Sequence, residues 1–301
     1  MRRYFLLTAL MVALALTGCQ STSSPEAQEL PQSSTYIENK GSDTMVNLAL
    51  VWAENYQAAN QDVRISVTGG GSGTGLAALV NGTVDVANAS RQIKPEEQDQ
   101  IAQGGHQAVE YVVASDAIAV IVNPGNPIQN LTLEEISRIY KGEINNWAEL
   151  GGENRPIVRL SRETNSGTHV YFLEEVIRLG SSEDKSIFSA DTLLLPSSEG
   201  IITEVRDNPN AIGYDGLGYV TPDVKVISVA ADRSHSYVQP TIETVKDGSY
   251  PISRDLYMYT TESPSQVVQN YLEWVYSAEA QQIVSELGFV PVTPSEGANG
   301  E

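Results

Sequence analysis

Ala117-Ile118-Ala119-Val120-Ile121-Val122-Asn123-Pro124 is an unbroken apolar run stopped by a turn-forming pair. A strand with one face in water alternates apolar and polar residues, and this run does not. It therefore predicts a strand buried on both faces, as in a largely parallel sheet covered by helices on each side.

Outward from that run, strand-like and helix-like segments alternate, which predicts an α/β fold. Upstream, Met45, Leu48, Ala49, Trp52, Ala53 and Tyr56 form one helical stripe, with Ser42 or Asp43 available as N-cap. Val63, Ile65 and Val67 alternate as a strand. Thr83–Ala89 and Gln107–Val113 are predicted as further strands, separated by a helix that Pro95 opens and Gly104 closes. Downstream, Thr132-Leu133-Glu134-Glu135 has the spacing of a capping box at a helix start. Ile157–Ser161 reads as a strand and Gly167–Leu179 as a helix stopped by Gly180. Ser263-Pro264 opens a helix with Val267, Val268, Tyr271, Leu272 and Val275 inward, and Gly288 closes the last one.

Composition narrows the function. The chain has 301 residues, 41% hydrophobic and 19% charged, which excludes a disordered tail or a coiled coil and leaves room for two domains. Its formal charge is −20, or −22 once Arg2 and Arg3 are lost with a leader. Such a surface repels nucleic acid, whose binding rests on Lys and Arg neutralising phosphates. The single cysteine, Cys19, excludes an internal disulfide, a Cys-rich zinc site and an iron–sulfur cluster. His106, His169 and His235 are far apart in sequence, so neither a metal nor another cofactor is expected.

Cys19 has its own explanation. Arg2-Arg3 precede an apolar run too short to span a membrane, so residues 1–18 read as a signal peptide. Leu16-Thr17-Gly18-Cys19 resembles a bacterial lipobox, which implies that Cys19 is lipidated. Residues 19–35 are rich in Ser, Gln, Pro and Glu and read as a flexible linker, with a similar tail at 293–301. The expected location is outside the cytoplasm, tethered to the cell envelope.

Three segments place Ser-x-Thr where a strand-like sequence gives way to a helix-like one: Ser42-Asp43-Thr44, Ser72-Gly73-Thr74 and Ser166-Gly167-Thr168. A helix start offers unpaired N–H groups and partial positive charge, and a hydroxyl adds a donor, so each junction suits an anion. Arg162 stands four residues before Ser166, close enough for its guanidinium to join an oxyanion there. Asp85–Arg91 ends a strand in Ser90-Arg91, and strand C-termini are where open α/β sheets place ligands. Other chemistries fit less well. The glycine loop 69–75 lacks the Lys of a Walker loop and the spacing of a dinucleotide loop. Ser166 and His169 could belong to a serine hydrolase, but neither Ser166 nor Ser72 sits in a Gly-x-Ser-x-Gly elbow.

Gly41-Ser42-Asp43-Thr44, the loop Gly69–Gly75, Ala89-Ser90-Arg91, Asp116–Pro124 and Arg162–Thr168 together resemble the phosphate-binding proteins of ABC-type phosphate importers. The similarity runs from about Tyr36 to Pro291, with the motifs in family order. The resemblance implies a two-lobe periplasmic-binding-protein fold of type II, each lobe a mixed sheet flanked by helices, joined by two crossing strands. Residues 36–113 and 251–292 would form lobe 1, and 114–250 lobe 2. It further implies a monomer without enzymatic activity that binds phosphate and delivers it to a membrane permease. Thr44, Ser72, Arg162, Ser166, Gly167 and Thr168 would contact the anion, with Ser42, Ser90 and Arg91 as neighbouring candidates. Another tetrahedral oxyanion such as sulfate, or a sensing or adhesive role at the surface, are the alternatives. In the best-known members an Asp follows the serine matching Ser90 and accepts the phosphate proton. Arg91 stands there in this chain, so either the acceptor lies elsewhere, with Asp43, Asp116 and Asp215 as candidates, or discrimination against sulfate is weaker.

Overall fold

The computed structural model describes residues 35–292. The expectations for the leader, Cys19, most of the linker and the tail lie outside that span. Strands are β1 Thr35–Gly41, β2 Val63–Thr68, β3 Val86–Ala89, β4 Ala108–Val122, β5 Asn130–Thr132, β6 Val158–Arg162, β7 Leu193–Leu195, β8 Ala211–Gly216, β9 Lys225–Val226, β10 Ser228–Ala230, β11 Ser253–Thr261 and β12 Val290–Pro291. Helices are α1 Val46–Ala59, α2 Ser72–Val80, α3 Pro95–Gln103, α4 Leu133–Tyr140, α5 Gly167–Tyr171, α6 Ser198–Asp207, α7 Ile242–Lys246, α8 Gln266–Val275 and α9 Ala278–Glu286.

One mixed sheet runs in the order β2-β1-β3-β11-β4-β8-β6-β7, with β9 and β12 also pairing β4. At one end β1 is parallel to β2 and β3, and at the other β6 is parallel to β7 and β8. The middle differs from the expectation of a largely parallel sheet: β4 is antiparallel to β8, β9, β11 and β12. The apolar run 117–122 signalled burial on both faces, and an antiparallel strand in the middle of a covered sheet is buried in the same way.

β4 also replaces two expected strands with one. Its first part, from Ala108, pairs with β11, and its last part, Ile118–Val122, pairs with β8. Two sets of buried residues lie on either side of this crossing. Ile37, Met45, Leu48, Trp52, Leu256, Met258, Tyr271 and Val284 share one core, and Ile118, Val120, Tyr140, Trp147, Phe172 and Tyr214 share another. The C-terminal helices therefore return to the N-terminal core. The Trp52 indole makes the link explicit, donating to the Ala280 carbonyl at 2.9 Å from 228 positions away.

Local chemistry explains the boundaries. Thr132 accepts from the Glu135 amide at 3.2 Å while Glu135 accepts from the Thr132 amide at 2.9 Å, so α4 opens with the expected capping box. Pro95 and Gly104 bound α3, and Gly288, at φ 81°, follows α9. Ser42 and Asp43 do not cap α1, which begins at Val46 after a 3₁₀ turn. The Asp43 carboxylate is drawn instead to Gly70 and Arg162. β3 starts at Val86 rather than Thr83, because the Thr83 amide and hydroxyl both fold back to the Ala78 carbonyl. The helix expected at Gly167–Leu179 is α-helical only to Tyr171 and continues as a π-helix over Phe172–Ile177. α8 starts at Gln266, with Ser265 rather than Ser263 as N-cap.

Candidate functional site

The three Ser-x-Thr junctions meet. Thr44, just after β1, and Thr168, in the first turn of α5, place their hydroxyls 2.9 Å apart. Ser72 opens α2 and Ser90 leaves β3, with their hydroxyls 3.3 Å apart and the Ser90 amide donating to Ser72 Oγ at 3.0 Å. Gly167 packs so tightly on this pair that a Cβ there would collide with both hydroxyls. The loops beside it interlock: the Gly73 amide donates to the Asn165 carbonyl at 3.1 Å, and Asn165 Nδ2 to the Gly70 carbonyl at 2.8 Å. Ser166 caps α5, accepting from the Thr168 amide at 3.2 Å. Ser42 is buried, and its hydroxyl has no hydrogen-bond partner among the described residues.

Arg162, at the end of β6, is buried and donates to Ser198 Oγ at 2.8 Å, the Pro196 carbonyl at 2.9 Å and Asp43 Oδ2 at 2.7 Å. Its Nε has no hydrogen-bond partner among the described residues. A second buried guanidinium, which sequence reasoning missed, comes from Arg254 in β11. Arg254 Nη2 donates to Thr168 Oγ1 at 2.9 Å, Thr44 Oγ1 at 3.3 Å and Asp116 Oδ2 at 3.2 Å. Among the described residues its Nε and Nη1 have no hydrogen-bond partner, and its guanidinium carbon lies 5.6 Å from the centre of the Tyr171 ring. A signal was available: Arg254 is a lone cation entering a strand whose next residues include buried Leu256, Met258 and Tyr259.

Arg91 is placed differently from the other candidates. Glu97 grips its guanidinium in a bidentate pair at 2.8 and 2.7 Å, and the Gln92 carbonyl accepts a third bond. Burial works against the Glu97 carboxylate, yet the hydrogen bonds and charge of Arg91 and Lys94 hold its pKa below the usual carboxylate range. A cleft of about 880 Å³, lined in part by Arg91, Lys94, Tyr171, Glu174 and Tyr257, shares Arg254 with the site.

Asp43, Asp116 and Asp215 all lie in this network. Asp43 accepts from the Gly70 amide at 2.8 Å as well as from Arg162. Asp215 accepts from Ser198 Oγ at 3.0 Å and the Gly216 amide at 2.8 Å, and its Oδ2 sits 3.8 Å from Arg162 with no hydrogen bond among the described residues. Burial raises the pKa of Asp215 against the pull of Arg162. Burial likewise pushes Asp116 up to about 6, with Arg254 opposing and Asp215 adding to the rise.

The hydrolase alternative finds no geometry. His169 Nδ1 faces the Arg162 carbonyl at 2.9 Å and Ser161 Oγ at 3.0 Å, and its ring stacks on Phe188. Burial lowers its pKa, with the Arg162 carbonyl opposing, while the Ser166 hydroxyl is used as a helix cap. Among the described residues no cluster of His, Cys, Asp and Glu is arranged to hold a metal, and no helix is long and apolar enough to cross a membrane.

Hydroxyls and two guanidiniums from five separate stretches of chain thus come together, a donor set suited to an oxyanion. A PBP superfamily domain model matches residues 25–279. The phosphate-binding protein PstS of Pseudomonas aeruginosa is 31% identical, with 89% of this chain and 86% of that protein aligned. The chain belongs to the PstS family. PstS of Bacillus subtilis is also 31% identical, over 98% of this chain and 96% of its own length. Among solved structures, a Clostridium perfringens protein assigned as a phosphate ABC-transporter substrate-binding protein, with phosphate bound, superposes with a TM-score of 0.77. It is 31% identical and covers 86% of this chain and 100% of its own. The PstS family thus carries the α/β periplasmic-binding-protein fold found here, with mixed strands flanked by helices.

Proposed function

We propose that this chain captures inorganic phosphate outside the cytoplasmic membrane and delivers it to an ABC permease for import, as a binding protein rather than an enzyme. The observation that carries this reading is the meeting of Thr44 and Thr168 at the Arg254 guanidinium, with Ser72, Ser90 and Gly167 beside them. The PstS relatives and the phosphate-bound structure support the choice of anion. Thr44, Ser72, Ser90, Arg162, Ser166, Gly167, Thr168 and Arg254 are the proposed contacts, with Ser42 beside them. Arg91 is proposed to brace the Ser90 loop through Glu97 instead of touching the anion.

Residues 36–113 with 251–292 are proposed as one lobe and 114–250 as the other, with β4 and β11 as the hinge. The contacts come from both, so binding would close them on the anion. A charged hydrogen bond nets about 1.5–3 kcal/mol, so four or five suffice for the roughly 8 kcal/mol of a micromolar complex after ordering costs. Lipidation of Cys19 would hold the protein at the envelope. Isothermal titration of anion-stripped protein with phosphate and with sulfate tests the reading. It predicts micromolar or tighter phosphate binding and much weaker sulfate binding. Equal affinity for both would favour a general oxyanion carrier, and no phosphate heat at millimolar concentration would end the proposal.

A further inference from the structure

The cleft that shares Arg254 with the anion site encloses about 880 Å³. A lone tetraoxoanion needs little of that space, whereas clefts of about 300–1,000 Å³ are the size that takes an organic ligand. Its lining comes from three stretches of chain: residues 91–96 after β3, the helical segment carrying Tyr171, Glu174 and Glu175, and the start of β11 at Arg254, Asp255 and Tyr257. The middle stretch runs from α5 into the π-helix at Phe172–Ile177, a form found often at functional sites.

Charge changes sign along this cleft. Arg254 is its buried cation. Nη2 of that guanidinium is committed to Thr44, Thr168 and Asp116, while Nε and Nη1 have no hydrogen-bond partner among the described residues. Toward solvent the balance reverses. Glu97 neutralises Arg91, which leaves Lys94 among the exposed carboxylates of Glu96, Glu174, Glu175 and Asp255. Among the described residues no carboxylates are grouped to hold a metal ion, so this rim suits the spread charge of an organic ammonium. Tyr171 and Tyr257 add aromatic surface to the same lining, and ring faces attract ammonium groups within about 6 Å.

We propose that the protein also binds phosphate monoesters whose organic part carries an ammonium group, with the phosphate at Arg254 and the ammonium among Tyr171, Tyr257 and the rim carboxylates. This rests on the phosphate-binding reading and extends it from the free anion to a class of esters. A neutral alcohol part would gain only contact with the lining. A second anionic group would meet the rim as like charge. The zwitterion matches both ends of the cleft, and its ammonium offsets part of the repulsion that a chain of formal charge −20 exerts on an incoming phosphate.

The test is titration calorimetry of the anion-stripped protein with phosphocholine, glycerol phosphate and inorganic phosphate, on wild type and on a Glu174→Gln, Glu175→Gln double variant. Phosphocholine should bind wild type at least about tenfold more tightly than glycerol phosphate, which has a similar size and no cation. In the double variant that preference should shrink to less than about threefold, with inorganic phosphate affinity kept within about twofold. Equal affinity for the two esters, or an undiminished preference in the variant, would overturn the proposal. If the variant does not fold, saturation-transfer NMR on wild type decides: the choline methyl groups should receive saturation from tyrosine ring protons, and none reaching them overturns the proposal. Phosphatidylcholine vesicles present the same ammonium on a diester and should not bind; equal capture of vesicles would overturn the assignment to monoesters. Phosphate binding without phosphocholine binding overturns this inference alone, whereas absence of both overturns the functional reading with it.

Discussion

Arg162 and Asp43, 119 positions apart in sequence, form an ion pair at 2.7 Å that ties the end of β6 to the turn after β1. Breaking a buried pair by removing one partner strands the other charge, which costs about 3–5 kcal/mol at full burial and less here because Asp43 is partly exposed. Arg162→Ala is predicted to weaken phosphate binding by about 10–100-fold or more, the value of one or two charged hydrogen bonds. Arg162→Lys should recover only a fraction, since an ammonium cannot serve Ser198, Pro196 and Asp43 from one planar fork. Calorimetric titration of both variants checks the order.

Gly167→Ala puts a methyl group against the Ser72 and Ser90 hydroxyls. It displaces two of the proposed anion contacts, so phosphate affinity should fall by at least about tenfold, the effect of a few kcal/mol of overpacking. The melting temperature without phosphate should fall as well, since Gly167 is buried against both hydroxyls, but by less than it falls with phosphate present. Differential scanning calorimetry with and without phosphate separates the two effects. An equal loss of stability in both conditions would place the role of Gly167 in folding instead.

Trp52→Ala removes a fully buried indole and its hydrogen bond to Ala280. The expected loss is about 3–5 kcal/mol, from the cavity and the lost apolar transfer. Urea denaturation monitored by circular dichroism measures it. A loss below about 1 kcal/mol would mean that the C-terminal helices contribute little to the N-terminal core.

These cases mark what the sequence made legible. The stripe on α1, the capping box of α4 and the bounding residues of α3 rest on local periodicity and local hydrogen bonds, and all three appear. The unity of β4 was hidden because Ser115 and Asp116 break the apolar pattern, and only the fold reveals that Asp116 meets Arg254 and Ser115 meets Asp255. The missing cap on α1 has the same origin, since the Asp43 carboxylate serves partners 27 and 119 positions away. Arg254 escaped notice because it lies 86 positions from Thr168, its nearest proposed partner in the anion site. Motifs exposed the hydroxyls; the carboxylates and guanidiniums that balance them are long-range facts.

Stability should carry the mark of Asp116. Burial pushes its carboxyl up to about 6, above the usual carboxylate range, so between about pH 4 and 6 the folded state holds more protons than the unfolded one. Stability therefore falls as pH rises through that window, by on the order of 3 kcal/mol from this group. Asp215, also raised by burial, adds in the same direction. Asp116→Asn, a neutral isostere, is expected to lose less stability than wild type between pH 4.5 and 7. Urea midpoints of both proteins at the two pH values check the difference.

The most direct measurement is a crystal structure of the protein grown with phosphate. It should show the anion seated among Thr44, Ser72, Arg162, the Gly167 and Thr168 amides and Arg254, with phosphate oxygens about 2.7–3.0 Å from these donors. Phosphate bound elsewhere, with the Thr44 and Thr168 hydroxyls still on each other and on Arg254, would contradict the account.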